Sequence, residues 1–244
     1  QKLTPADKAL YDEYLLNCGQ RGCEYNFSNL YLWGRQRAAF LGNNLVFFSQ
    51  FNQRSVYLFP VCHGDVKETI DAIIHDAHTR DIPCRITSMT GADREELESW
   101  FPDTFTFRAD RDGCDYVYAI DDLADLKGRK FQKKRNHVNR FRAEHPDFQV
   151  VPLTMCNMAM AQHMINDWYT TRMKEDPEGD YMLENIALAK ACRHYDALGM
   201  DGILLMENNR VLAVTMGSRM AEDTFDIHFE KAREDVDGAY TVVN

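Results

Sequence analysis

The chain has 244 residues, of which 45% are hydrophobic and 27% charged, and its formal net charge is −10. This composition is typical of a folded globular protein and excludes the disordered and fibrous classes. The negative total argues against a general nucleic-acid coat protein. No apolar stretch approaches the roughly 18 residues of a membrane-spanning helix, and no secretory signal pattern opens the chain. We therefore expect a soluble, cytoplasmic protein with one large domain or, as our starting hypothesis, two smaller ones.

In the first half of the chain, helical and strand signals alternate. Thr4-Pro5-Ala6-Asp7 combines an N-cap residue with proline at the first helical position, which predicts a helix running to Leu16. The later elements follow from apolar spacing and turn residues. They are helices at 26–37, 66–79 and from Gly91, and strands at 44–50 and 55–61 (joined by a polar turn), 85–89, 105–108 and 115–119. The pattern predicts an α/β domain over residues 1–122.

The second half changes from helical to strand signals. A basic helical connector is predicted over 123–146, where Pro146 ends the helix. A second domain over 147–244 follows, with a strand at 148–152, helices at 157–174 and 183–198, and strands at 202–207, 210–218 and 224–230. Asn208-Asn209 favours a tight hairpin between two of those strands. A turn at Asp237-Gly238-Ala239 leads into a final helix. Because a helix cut at Asn244 would leave a sheet edge uncovered, we expect further residues beyond it.

The seven cysteines are odd in number and scattered, and no C-x-x-C pair occurs. This pattern predicts reduced, mostly buried thiols of an intracellular protein. A zinc site on Cys18 and Cys23, or on His75 and His78, is the alternative. Neither pair has the second pair of ligands that tetrahedral zinc requires. We therefore predict no metal site.

A block of positive charge lies between Lys127 and Arg142, and it contains eight basic residues and no acidic one. On a helix, Phe131, Val138 and Phe141 fall along one stripe, so the helix can pack on a core and still present cations. Because like charges in successive turns repel one another, a bound anion is favoured over a merely solvated basic face. A membrane-surface helix is less favoured, since the apolar stripe is narrow. The predicted phosphate-binding residues are Lys127, Arg129, Lys130, Lys133, Lys134, Arg135 and Asn136.

The element order of the second half resembles the Gcn5-related N-acetyltransferase (GNAT) fold. Five segments carry a more specific resemblance, and they are Glu24–Trp33, Asp115–Tyr118, Leu126–His137, His228–Ala232 and Gly238–Tyr240. In these segments the chain resembles the phosphatidylglycerol lysyltransferase C-terminal domain family, whose members pair two such folds. The basic helix before the second fold is similar to that of the Fem-type peptidoglycan aminoacyltransferases, which take an aminoacyl group from tRNA. The implied fold is two tandem GNAT-like α/β domains, the second truncated after Asn244.

The resemblance implies transfer of an acyl or aminoacyl group to an amine or hydroxyl. Aminoacyl-tRNA is the preferred donor, because residues 233–239 lack the full basic, glycine-rich pyrophosphate loop of acetyl-coenzyme A users. An acyl-coenzyme A thioester is the second candidate donor. The large membrane domain of the lysyltransferases has no counterpart in this sequence, so the acceptor stays open among a small molecule, a peptide and a lipid. A non-catalytic module that binds tRNA or another polyanion is the alternative.

The candidate catalytic residues lie near the end of the chain. Asp226, His228 and Glu230 alternate along one strand and share a face, where His228 or Glu230 could accept a proton from the attacking amine. An ordinary solvent-facing strand is the alternative. The resemblance puts Tyr240 where GNAT-type enzymes often protonate the leaving group. Trp168, Tyr181 and Glu184 are candidate cleft residues, with core packing as the other interpretation.

Overall fold

The structure is a computed structural model that describes residues 1–34, 36–51, 54–179 and 181–244. The chain forms two compact units, the first made of residues 1–115 with 220–224 and the second of 116–219 with 225–244. The described strands form two four-stranded sheets, and helices precede the strands and lie between them along the chain. The predicted mixed α/β class is therefore confirmed. Within the described ranges, no helix is long and apolar enough to cross a membrane.

The first unit combines four helices with a sheet of order β1-β2-β3-β4. Neighbouring strands are antiparallel except β3 and β4, which are parallel. Ile70, Ile73 and Ala77 recur at helical spacing and pack against Phe48 and Tyr57 of the sheet. The elements are α1 (Lys8–Leu15), α2 (Phe27–Trp33), β1 (Gln36–Leu41), β2 (Asn44–Phe51), β3 (Arg54–Leu58), α3 (Val66–Thr79), β4 (Ile86–Thr87) and α4 (Gly91–Trp100).

The second unit contains a sheet of order β5-β6-β7-β8. Asn208 and Asn209 take positive φ of 48° and 63° between two of its strands, as the predicted tight hairpin requires. Phe141 of the basic helix is fully buried against this sheet. The elements are α5 (Ile120–Asp125), α6 (Gln132–Glu144), β5 (Gln149–Pro152), α7 (Met158–Glu175), α8 (Met182–His194), β6 (Met200–Glu207), β7 (Arg210–Ala221), β8 (Thr224–Ala232) and α9 (Ala239–Val243).

Three predictions about the first half were wrong. The helix predicted over 26–37 ends at Trp33, and Gln36–Leu41 is a strand, because Gly42 at φ +57° turns the chain back into an antiparallel pair with β2. The stretches 105–108 and 115–119 are not strands. Phe105 and Phe107 instead pack on the α3 core without joining the sheet. The polar turn predicted after residue 50 includes residues 52 and 53, which lie outside the described ranges.

The cysteines are free thiols, but only one of them is buried. Cys192 lies in the core of the second unit, whereas Cys114 and Cys156 are exposed and the others are half-buried. The prediction that most thiols are buried was therefore wrong. Burial raises the pKa of Cys192 to about 11, so its thiol is protonated and unreactive at neutral pH.

Candidate functional site

A buried cation lies at the C-terminal end of β8. Lys231 is only 6% exposed, and its Nζ lies 2.8 Å from Glu184 Oε1 on α8 and 4.0 Å from the centroid of the Trp168 ring on α7. The second oxygen of Glu184 accepts a hydrogen bond from the Tyr169 hydroxyl at 2.8 Å. A buried ammonium group requires such partners, since its desolvation is costly. The two helices therefore hold this cation in a defined position.

Glu230 precedes Lys231 and projects to the opposite face of the strand. Asn244 Nδ2 donates to Glu230 Oε2 at 3.3 Å, and Asn244 Oδ1 accepts from Lys134 Nζ at 3.0 Å. Burial raises the pKa of the Glu230 carboxyl, and the Asn244 hydrogen bond and the charge of Lys134 act in the opposite direction. With a raised pKa, its carboxylate is a stronger proton acceptor than an exposed one.

Tyr240, on α9, is 42% exposed and lies at the same end of β8. Ala239 and Val243 of α9 pack in the same buried cluster as Ala232, the last residue of β8. Burial raises the pKa of Tyr240, and the charges of Glu230 and Glu184 raise it further. The phenol is therefore protonated at neutral pH and can donate a proton or a hydrogen bond.

His228 and Asp226 share the face of Glu230 but lie deeper. The His228 side chain is 1% exposed, its Nε2 lies 2.8 Å from Ser218 Oγ, and its Nδ1 lies 3.5 Å from Asp226 Oδ2. Burial lowers the pKa of His228 to about 4, so the ring is neutral at physiological pH. The alternative of an ordinary solvent-facing strand does not fit, because the apolar Phe225 and Ile227 of the other face are the more exposed, at 38% and 48%.

The three candidate cleft residues differ in their surroundings. Glu184 and Trp168 contact Lys231 directly. Tyr181 packs edge-on against Trp168 with ring centroids 6.3 Å apart, and its hydroxyl donates to Asp176 at 2.9 Å. Tyr181 therefore supports the Trp168 ring from the turn that precedes α8.

The basic residues between Lys127 and Arg142, which include the predicted phosphate-binding residues, fall into two groups. Several are engaged by the protein itself: Lys127 with Asp125, Lys130 with Asp122 at 2.8 Å, Lys134 with Asn244, and Arg135 with the carbonyl oxygens of Leu126 and Gly128. Arg140 pairs with Asp237. Arg129, Lys133 and Arg142 are exposed and have no carboxylate partner among the described residues, and Asn136 is also exposed.

These ion pairs compensate part of the positive charge that the sequence presents without interruption. The acids that compensate the basic segment lie on α5 and before α9, outside the basic run, so the sequence spacing did not reveal them. The cations that remain uncompensated are the ones most available to an external anion.

One group of possible metal ligands occurs in the described part of the first unit. The donor atoms of Cys23, Glu24 and Asp115 lie within 4.8 Å of one another. Asp115 already accepts a hydrogen bond from the Cys23 backbone N–H at 2.8 Å. Since this contact accounts for the position of the carboxylate, the group supports no metal assignment.

Lys231 is not among the site residues predicted from the sequence. The signal that could have found it is its position: it alternates with Phe225, Ile227 and Phe229, so it is a single cation on the apolar face of a strand. A lysine in such a position must find a buried partner. Glu184, which was selected, is that partner.

Comparison with known proteins supports the family expected from the sequence. No curated protein matches the chain. A crystal structure of a conserved protein of unknown function from Bacteroides thetaiotaomicron VPI-5482 matches with a TM-score of 0.94 and 33% identity, covering 100% of this chain and 83% of that one. The C-terminal domain of a proposed lysylphosphatidylglycerol synthetase from Agrobacterium fabrum matches with a TM-score of 0.56 and 11% identity, covering 98% and 73%. The family model for the phosphatidylglycerol lysyltransferase C-terminal region matches residues 17–244, and the chain belongs to that family.

Proposed function

We propose that the protein is an aminoacyltransferase that moves an aminoacyl group from aminoacyl-tRNA to an amine or hydroxyl acceptor. The observation that carries this proposal is the meeting of Glu230, with its raised pKa, and Tyr240, a protonated phenol, at the end of β8. Acyl transfer needs a proton acceptor for the nucleophile and a proton donor for the leaving group. Membership of the lysyltransferase family supports the same reaction class. We further propose a GNAT-like fold for each unit and a cytoplasmic location.

In the proposed reaction, the acceptor nitrogen or oxygen attacks the ester carbonyl carbon directly. Glu230 takes the proton that the attacking atom loses. The ester C–O bond then breaks, and the leaving ribose oxygen takes the proton of Tyr240. Transfer of the proton from Glu230 to the tyrosinate through solvent restores both groups. No covalent enzyme intermediate is needed, because the acceptor and the donor are held together at one site.

Arg129, Lys133 and Arg142 are our candidates for binding the phosphates of the donor, since they are exposed and uncompensated. The name of the family supports a phospholipid hydroxyl as one candidate acceptor. Free amines and amino-terminal groups are the other acceptors to be tested.

The test is a transfer assay with tRNA that carries a labelled amino acid, incubated with amines and with phosphatidylglycerol vesicles. We expect labelled product from the wild-type protein, and a loss of about 10²-fold or more for Glu230→Gln, which removes the proton acceptor. Glu178→Gln, at an exposed glutamate of the second unit, is the matched control and should keep the wild-type rate.

Two other outcomes would contradict the proposal. Transfer from a labelled acyl-coenzyme A but not from tRNA would favour a coenzyme A-dependent N-acyltransferase. Tight, salt-sensitive tRNA binding without transfer from any donor would favour a non-catalytic binding module.

A further inference from the structure

A run of exposed apolar side chains opens the second unit, between Asp115 and α5. Tyr116 is 85% exposed, Val117 83%, Tyr118 47% and Ile120 72%. These residues belong to neither sheet, and only Ile120 is helical. Elsewhere in the described ranges, large apolar residues are exposed singly or as close pairs. So dense an apolar surface in contact with water marks an interaction site.

The positive charge of the basic segment adjoins this apolar run. Lys134 Nζ on α6 lies 5.5 Å from the centroid of the Tyr118 ring, and Lys130 Nζ lies 2.8 Å from Asp122 Oδ2 on α5, which begins within the run. Between residues 116 and 135 the chain has six basic and three acidic residues, whereas the whole chain carries −10. The apolar run and the cations are therefore neighbours on the second unit, and their local charge is opposite to that of the rest of the molecule.

The chemistry of the run favours a lipid bilayer over the other anionic partners. Tyrosine is enriched where a membrane meets water, because its ring is apolar and its hydroxyl is polar. Val117 and Ile120 have neither a polar group nor a ring on which a nucleic-acid base stacks, so they suit acyl chains. The neighbouring cations attract anionic headgroups. The apolar stripe of α6 has no part in this contact, since Phe131 and Phe141 are buried.

The acids of α5 limit how strongly charge alone can hold such a surface. Asp122 and Asp125 pair with Lys130 and Lys127 and compensate those cations. Asp121 is exposed and has no basic partner among the described residues, so it repels anionic headgroups. Stable attachment to a membrane generally takes two signals, such as an inserted apolar group and a basic patch. The apolar run supplies the first and the uncompensated cations supply the second.

We propose that the second unit docks reversibly on an anionic phospholipid bilayer. Tyr116, Val117 and Ile120 insert at the level of the headgroups, and the neighbouring cations contact the lipid phosphates. Docking is independent of the proposed transfer chemistry, because it needs neither Glu230 nor Tyr240. A docked molecule meets any acceptor held in the membrane at a much higher local concentration than a freely diffusing one does.

Co-sedimentation with vesicles measures docking without any transfer reaction. We expect the protein to bind vesicles of mixed phosphatidylcholine and phosphatidylglycerol, and to bind phosphatidylcholine alone much more weakly, because the cations require anionic headgroups. Tyr116→Ser/Val117→Ser/Ile120→Ser removes the inserted groups and should weaken binding about tenfold or more. Since these side chains are exposed, the triple variant should fold.

A matched control and a direct measurement of insertion accompany that variant. Met173→Ser/Met182→Ser/Ile186→Ser also removes three exposed large apolar side chains of the second unit, and it should bind vesicles as the wild type does. Val117→Trp places a fluorophore in the run, and brominated acyl chains quench a tryptophan that enters the bilayer. We expect quenching beyond that of the wild-type tryptophans, and only with vesicles that contain phosphatidylglycerol.

Several results would overturn membrane docking. They are a wild-type protein that does not bind the mixed vesicles, a triple variant that binds them equally well, and a bound Val117→Trp protein without added quenching. Loss of tRNA binding in the triple variant with vesicle binding unchanged would assign the run to nucleic acid, and loss of self-association in light scattering would assign it to a second copy. None of these results affects the transfer reaction, whereas failure to transfer to soluble amines would contradict the proposed function alone.

Discussion

Burial determines the charge state of His228. The ring lies inside the second unit with its Nε2 against Ser218 Oγ, and burial lowers its pKa to about 4. A neutral ring that cannot reach solvent is suited to hold neighbouring strands together rather than to exchange protons with a substrate. The same strand places Glu230 near its end, where a raised pKa and access from α9 favour proton transfer.

The pKa of His228 predicts how stability depends on pH. In the unfolded chain, the pKa of histidine is close to its ordinary value of 6.5, and in the folded protein burial lowers it to about 4. Between those values the unfolded state binds more protons, so this residue destabilises the fold as pH falls through the window, by up to about 3 kcal/mol. This destabilisation is absent above pH 6.5 and reaches its full size near pH 4.

The measurement is hydrogen–deuterium exchange of peptides from β7 and β8 between pH 4 and 7, after correction for the intrinsic exchange rate. As the pH is lowered, we expect the free energy of opening to decrease more steeply in the wild-type protein than in His228→Gln. Parallel slopes for the two proteins would show that His228 does not titrate as described.

At the scale of elements, α9 is held in place by α6. Gly238 precedes α9 at φ +81°, and a Cβ there would come within 2.7 Å of the His137 backbone oxygen and 3.1 Å of Phe141 Cβ. Only glycine permits so close an approach. Because α9 also carries Tyr240, and Asn244 follows it, this contact links the basic helix to the positions of Tyr240, the proposed proton donor, and of Glu230.

Gly238→Ala should therefore affect both stability and transfer. We expect a loss of about 2–3 kcal/mol, from the left-handed φ and from the clash with backbone that cannot move aside. Gly19→Ala is the control, since its φ of +78° is similar but the space around it is open. Calorimetric unfolding should show the larger shift for Gly238→Ala, and only that variant should lose transfer activity. Equal effects would mean that φ strain alone matters.

For the whole molecule, the sequence predicted the α/β class, most helices and the strands of the second unit. Each of these elements has apolar residues at regular spacing and turn or capping residues at its ends. Gln36–Leu41 was missed because its pairing depends on a turn at Gly42 that local helical spacing did not reveal. The polar residues of β8 were found by alternation, but alternation cannot say which face is buried. Lys231 was missed because its importance depends on Glu184 and Trp168, which are distant in sequence.

Charge distribution over the whole molecule limits where a polyanion can bind. The net charge is −10, so most of the surface repels phosphate. The basic segment is an exception, but Lys127, Lys130 and Arg140 are already paired with aspartates. Attraction should therefore depend mainly on the three exposed cations without carboxylate partners in the described ranges, which are Arg129, Lys133 and Arg142.

Two triple variants with equal change in net charge test this dependence. Replacing the unpaired Arg129, Lys133 and Arg142 by glutamine should weaken tRNA binding. The slope of log affinity against log salt should become less negative by about 2 to 3, since each phosphate contact contributes about 0.7 to 0.9 to that slope. Replacing the paired Lys127, Lys130 and Arg140 should change the slope much less, because their charges are already compensated. Equal slopes for the two variants would contradict this division, and binding would then follow net charge rather than the local geometry of α6.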